Sequence, residues 1–328
     1  MLILTQGNEP DFLLTRVFVS KQYKVESLLE KLREFVDAER NYHILQVPTW
    51  FNHWGQLHLV SFWSPISMEE YWRDVNPSPS MDTGFVVWFA TQWEGITDAL
   101  ESIQFRTAMD LGDQTVRSRV TPVYIRWFPC SSFQGCFNKN GIFQVDIISA
   151  WLDRAQVNEG RCRSSKPPVQ VVEWDCGIYT EPDQKKGLNT IIWSVGCTIL
   201  EAVSSLLLGF RSLADDFYPT LSTSEGVPDK RLYSCNDRYS VWEKPRSTGI
   251  KPELTEWIHK LMKHSNCNRY LHDLLRLVRD RMLLIEEEKR ISLAGLPDTL
   301  KHIRENCEKK VAFTPSSHKN FIHKLFGR

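Results

Sequence analysis

The period of hydrophobic and polar positions changes several times along the chain, and each change marks an element. Arg16-Val17-Phe18-Val19 is a short apolar run that suits a strand. From about Val25 to Arg40, Leu28, Leu29, Leu32, Phe35 and Val36 recur at helical steps and share one face. Ile44–Phe51 and Leu57–Trp63 read as strands, and Asn52-His53-Trp54-Gly55 between them is the turn of a hairpin. Beyond Pro77 and Pro79 the pattern is helical, with Phe85, Phe89, Trp93, Ile96, Leu100 and Ile103 on one stripe. Arg117 to Trp151 reads as strand and loop, punctuated by Gly135 and Asn140-Gly141. A basic loop follows through Arg161, Arg163, Lys166, Pro167 and Pro168. From Pro252 to about Glu308 the chain is helical again, with breaks near Asn266 and near Ile291-Ser292. It contains no repeat at a solenoid period.

The run from Ile191 to Phe210 is long enough to span a bilayer, but Glu201 sits near its centre and Ser194, Ser204 and Ser205 dilute it. A charge is costly in hydrocarbon, so the run reads as a helix buried inside a globular domain, with no transmembrane segment. A sheet-rich first part followed by a helical second part predicts an α+β fold in two lobes.

Composition changes this picture little. The 328 residues are 42% hydrophobic, enough for a large core. Forty basic and forty acidic residues cancel, which removes the global field that would draw the chain to nucleic acid. The eight cysteines form no C-x-x-C and no secretory signal opens the chain, so an intracellular location, cytoplasmic or nuclear, is expected. His264, Cys267 and His272 lie close in sequence but match no zinc spacing, and no metal site is expected from them.

Three stretches of the second half resemble the large lobe of eukaryotic protein kinases, in the form found among fungal kinase-like proteins. Ile192-Trp193-Ser194-Val195-Gly196-Cys197 looks like the D-I-W-S-L-G-C opening of that lobe's buried central helix. Lys251-Pro252-Glu253-Leu254-Thr255-Glu256-Trp257-Ile258 resembles a K-P-E-x-T-E-W-I stretch. Arg281-Met282-Leu283 followed by Lys289-Arg290-Ile291-Ser292 resembles the M-L…R-I-S close of the domain. The first half follows the same plan more weakly, as strand, helix and hairpin. The resemblance implies a two-lobed kinase-like fold: a truncated small lobe over 1–64 that lacks the strands of the glycine-rich loop, a large lobe over 65–308, and a basic tail over 309–328.

Kinase chemistry is positioning plus electrostatics, so each role demands a particular side chain. No G-x-G-x-x-G occurs, and Gly7 is the only glycine before Gly55. The strand lysine corresponds to Ser20 in one register or to Lys21 with a bulge, and its helix partner would be Glu30 or Glu34; charges on a solvated helix face compete with that reading. Pro122, Ile125, Trp127 and Phe128 match the end of the catalytic loop. The proton-accepting Asp is then Arg119, the phosphate-contacting Lys is Thr121 and the magnesium Asn is Tyr124. A second register keeps Asp113 but puts Thr115 and Ser118 in the other two roles. Strand alternation after Gly141 places Ile147 at the second magnesium Asp, with Asp146 adjacent on the other face. Asp175 stands at the Glu of the A-P-E region and its family partner is Arg290, so the two are expected to form a buried ion pair.

Scaffold residues are thus kept where catalytic ones are lost. The resemblance implies a catalytically inactive pseudokinase acting as a binding or scaffolding module, with a protein partner and no cofactor. The alternative is a divergent Ser/Thr kinase that uses ATP and magnesium through Asp113 and Asp146. The tail from Lys309 carries no acid and pairs Phe321, Ile322, Leu325 and Phe326 with Lys319, Lys324 and Arg328. Docking on a membrane surface or a partner competes with a solvated terminus that packs little against the body.

Overall fold

The computed structural model describes residues 2–6, 9–17, 41–44, 49–53, 56–62, 70–109, 136–137, 142–144, 190–221, 233–235 and 247–309. These residues are mostly helical. Four strands make the largest sheet: β1 (Leu2–Gln6), β2 (Glu9–Val17), β3 (Thr49–His53) and β4 (Gln56–Phe62), in the order β1-β2-β4-β3. All neighbours are antiparallel.

The hairpin expected from the turn signal is β3–β4, with Asn52 opposite Leu57 and His53 opposite Gln56. Its first strand is described over Thr49–His53. Ile44, where the expected strand starts, is a β-bridge residue whose N–H also closes a turn over 41–44 on the Asn41 carbonyl at 3.1 Å. Arg16 and Val17 of the strand expected at Arg16–Val19 end the longer β2, which runs back to Glu9, while Phe18 and Val19 lie outside the described residues. Within this sheet, one strand was not foreseen. β1 pairs along β2, with Leu4 opposite Phe12 and Thr5 opposite Pro10, so Asp11 is the extra residue of a bulge. The bulge sits before Phe12, where the pairing of β2 with β4 starts, and it seats Pro10 away from that ladder.

The long amphipathic stripe is α1 (Thr83–Met109). Asp82 caps it, accepting the Phe85 N–H at 2.8 Å. Phe85, Phe89, Trp93, Ile96 and Leu100 are all buried, as the stripe predicted. Phe89 meets Trp93 edge-on at 6.0 Å and Tyr270 edge-on at 6.5 Å. A second contact ties α1 to α6 (Leu296–Glu308): Arg304 grips both Glu94 carboxylate oxygens at 2.6 and 3.2 Å and Glu308 at 2.8 Å. Between these helices lie the small hairpin β5 (Cys136–Phe137) and β6 (Phe143–Gln144), α2 (Thr190–Leu208) and a π-helical turn Leu213–Phe217 that continues into α3 (Tyr218–Leu221). β7 (Tyr233–Cys235) pairs with β8 (Ser247–Ile250), followed by α4 (Pro252–Met262), α5 (Arg269–Leu277) and a π-helical turn Val278–Met282. The breaks foreseen near Asn266 and Ile291 fall between α4 and α5 and in the 3-10 turns Glu287–Lys289 and Leu293–Gly295. Asn268 starts α5 by accepting the Leu271 N–H at 3.0 Å.

α2 is the apolar run that reads as a buried helix. Its window Ile191–Leu208 has mean hydropathy 1.9 and is 94% buried against the rest of the protein. By length and composition alone it would also cross a membrane. It stops at Gly209, whose φ of 84° is the left-handed conformation that ends helices. Gly196 lets the turn Val278–Met282 and Leu283 approach closely. A Cβ built there would stand 3.1 Å from Met282 Cβ and 3.1 Å from Leu283 Cδ2. We expect Gly196→Val to lower the unfolding free energy by about 1–3 kcal/mol through overpacking, measured by urea titration. An unchanged midpoint would mean that this contact yields freely.

Candidate functional site

The site is built on one stripe of α2. Trp193, Cys197 and Glu201 follow each other at four-residue steps and so stack along one side of the helix. All three are buried. A helix this rich in Ser and Thr tolerates burial because its hydroxyls bond back to its own carbonyls. Thr198 donates to Ser194 at 3.0 Å, Ser204 to Leu200 at 2.8 Å and Ser205 to Glu201 at 2.9 Å.

Two polar side chains of this helix, Glu201 and Ser204, meet partners from later in the chain. The Tyr218 hydroxyl of α3 donates to Glu201 Oε1. Trp257 Nε1 of α4 donates to Ser204 Oγ at 2.9 Å. Lys251, buried at the start of α4, donates through Nζ to the Leu221 carbonyl at 2.7 Å. Arg290 is buried as well. Its Nε donates to the Leu284 carbonyl at 2.8 Å, a terminal nitrogen to the Ile285 carbonyl at 3.2 Å, and the guanidinium lies 5.3 Å over the Trp193 ring. The Ile291 N–H reaches back to the Arg281 carbonyl at 2.8 Å and fixes the chain that carries Arg290.

Three stretches far apart in sequence therefore meet in one core: Trp193–Cys197, Lys251–Ile258 and Arg281–Ser292. Trp193 and Arg290, both singled out from the sequence, are in contact. The others singled out lie outside the described residues: Lys21, Asp113, Arg119, Thr121, Tyr124, Asp146, Ile147 and Asp175. The strand that leads toward Ile147 is described at Phe143. Phe143 is buried, its N–H donates to Gln92 Oε1 at 2.8 Å and its carbonyl accepts from His43 Nδ1 at 2.8 Å. Glu201, Tyr218, Lys251, Gln92 and His43 were not picked out as site residues. A signal existed for two of them, because Gln92 and Glu201 interrupt otherwise apolar stripes.

Burial pushes the Cys197 thiol well above its ordinary value, the nearby Glu201 carboxylate pushes it further, and Arg290 offsets part of this. A thiol so held is neutral and a poor nucleophile. Of the residues considered for metal, His264 Nδ1 accepts the Asn266 N–H at 3.2 Å, Cys267 packs against the core, and His272 lies 3.9 Å from Asp273.

No protein-family model matches this chain, and no curated protein matches it.

Proposed function

We propose that the chain is a two-lobed, protein-kinase-like domain that serves as a binding or scaffolding module and does not transfer phosphate. One observation carries the reading: two of the stretches that resemble the kinase large lobe meet directly, with Arg290 over Trp193 and Met282 and Leu283 against Gly196, and the third reaches the same helix through Trp257 on Ser204. Motifs that matched by chance would have no reason to converge on one helix. The mostly helical body and its buried central helix fit the large lobe of that plan. The β2 strand and the β3–β4 hairpin, joined in one sheet, fit the small lobe.

The loss of chemistry is argued from side-chain types. Gly7 is the only glycine before Gly55, so the sequence carries no glycine-rich loop to wrap a triphosphate with backbone amides. Magnesium takes oxygen ligands in octahedral geometry, and Ile147 and Tyr124 are unsuited to it. A guanidinium at Arg119 has no lone pair to accept the substrate hydroxyl proton. The residues of this reading do not fit ATP with magnesium. The partner is a protein, bound without nucleic acid and inside the cell.

The competing reading, a divergent kinase, needs Asp113 and Asp146 to converge on magnesium. Incubation with radiolabelled ATP and generic protein substrates separates the two. We expect incorporation at background. Transfer that disappears in Asp113→Ala would establish the enzyme and overturn the scaffold.

A further inference from the structure

The turn 41–44 is fastened to the helical body by an imidazole, beside an amide and an apolar side chain. Asn41 shapes the turn, accepting the His43 N–H at 2.9 Å through its side-chain oxygen, while its Nδ2 donates to Asp98 of α1 at 3.0 Å. Ile44 enters the core at 2% exposure. The His43 ring then lies on α1 where Gly95 leaves room: a Cβ at that position would stand 2.0 Å from Nε2 and 2.1 Å from Cδ2. No other residue type fits under the ring as placed. Glycine in mid-helix costs roughly 1 kcal/mol against alanine, so a seat of this kind gives Gly95 a reason to be there.

The hydrogen bond fixes the tautomer. The Phe143 carbonyl of β6 only accepts, so Nδ1 carries the hydrogen and the neutral ring turns a bare Nε2 toward α1. Protonation would add an N–H and a full charge at the face pressed on the helix. Among the described residues, the charged group that faces the ring from α1 is Asp98, from β6 it is the carbonyl dipole of Phe143, and on the turn itself Asn41 and Tyr42 flank it. Asp98 and that carbonyl favour the cation. Burial opposes it more strongly and holds His43 below its ordinary value.

We propose that His43 is a proton-operated latch: neutral, it pins the 41–44 turn to α1 and β6 across Gly95, and protonated, it releases that turn. The inference stands on contacts of the turn, α1 and β6 and holds whether or not the chain is kinase-like.

The sign follows from linkage. The released ring titrates near its ordinary 6.5 and the docked ring lower. Docking is therefore at full strength above 6.5 and is lost as pH falls through that value toward the docked ring's own titration. In that window the opening equilibrium rises about tenfold per pH unit. Hydrogen exchange on the full chain, read on peptides covering 41–44 and 142–144 and corrected for intrinsic rates, should show that rise between about pH 7.5 and about pH 5. α5 should show none. His43→Gln keeps a donor for Phe143 and cannot be protonated, so its exchange should be flat across the range. Gly95→Ala removes the seat, so both peptides should exchange fast at every pH. A wild type as flat as His43→Gln, or a Gly95→Ala protein still protected, would overturn the latch. A nuclear magnetic resonance titration of the unaltered protein needs no variant, and a His43 ring titrating at or above its ordinary value would overturn it too.

Discussion

Trp193→Ala is expected to lower the unfolding free energy by about 3–5 kcal/mol, enough to unfold a marginal domain. Trp193 is fully buried in the middle of the region where the three stretches meet. Truncation loses the burial of the indole and leaves a cavity, because α2 is held on several sides and cannot close over it. It also removes the aromatic face beneath the Arg290 guanidinium, a buried cation with few substitutes for that contact. Trp193→Phe keeps a ring and should cost less, roughly 1–2 kcal/mol. Urea titration followed by far-ultraviolet circular dichroism measures both. A loss below about 1 kcal/mol for alanine would mean that the stretches meet without depending on this residue.

Arg290→Ala is the second large effect, at about 3–5 kcal/mol. The guanidinium bonds two carbonyls, of Leu284 and Ile285, and both lose those donors when it goes. If Asp175 is its ion partner, the carboxylate is also left buried and unpaired, which is the expensive part. Arg290→Lys should recover little, since one ammonium cannot cover two carbonyls, a ring face and a carboxylate at once. A double-mutant cycle with Asp175→Asn isolates the pair. We expect a coupling above about 1.5 kcal/mol, whereas additivity within about 0.5 kcal/mol would show that Asp175 sits elsewhere.

Regular, strongly periodic segments were the most legible in the sequence. The stripe of Phe85 to Leu100 and the apolar run of α2 both announce their buried faces, and the structure buries them. The β3–β4 hairpin was legible through the turn signal Asn52 to Gly55. β1 was missed although Leu2-Ile3-Leu4 is apolar and Gly7-Asn8 is a turn signal, since a run that short has no period to read. At the site, Trp193 and Arg290 were found through resemblance. The partners of Glu201, Ser204 and Lys251 were invisible because a hydrogen bond between residues 17, 53 or 30 positions apart leaves no periodic trace. Gly95 and His43 are the same case: nothing local tells a seat for an imidazole from an ordinary helix glycine.

Magnesium-dependent binding of ATP is the measurement that bears most directly on the claim that the scaffold persists without phosphoryl chemistry. A ligand at a hundred times its dissociation constant stabilises the native state by about 2.7 kcal/mol, a rise of a few degrees in a domain of this size. Titrating ATP to millimolar levels with and without magnesium, while following thermal unfolding, therefore detects binding without assuming any activity. The account predicts superimposable curves, because Ile147 and Tyr124 give the metal no suitable oxygen and the sequence has no glycine-rich loop to enclose the phosphates. A saturable rise in midpoint that requires magnesium and vanishes in Asp146→Ala would contradict it.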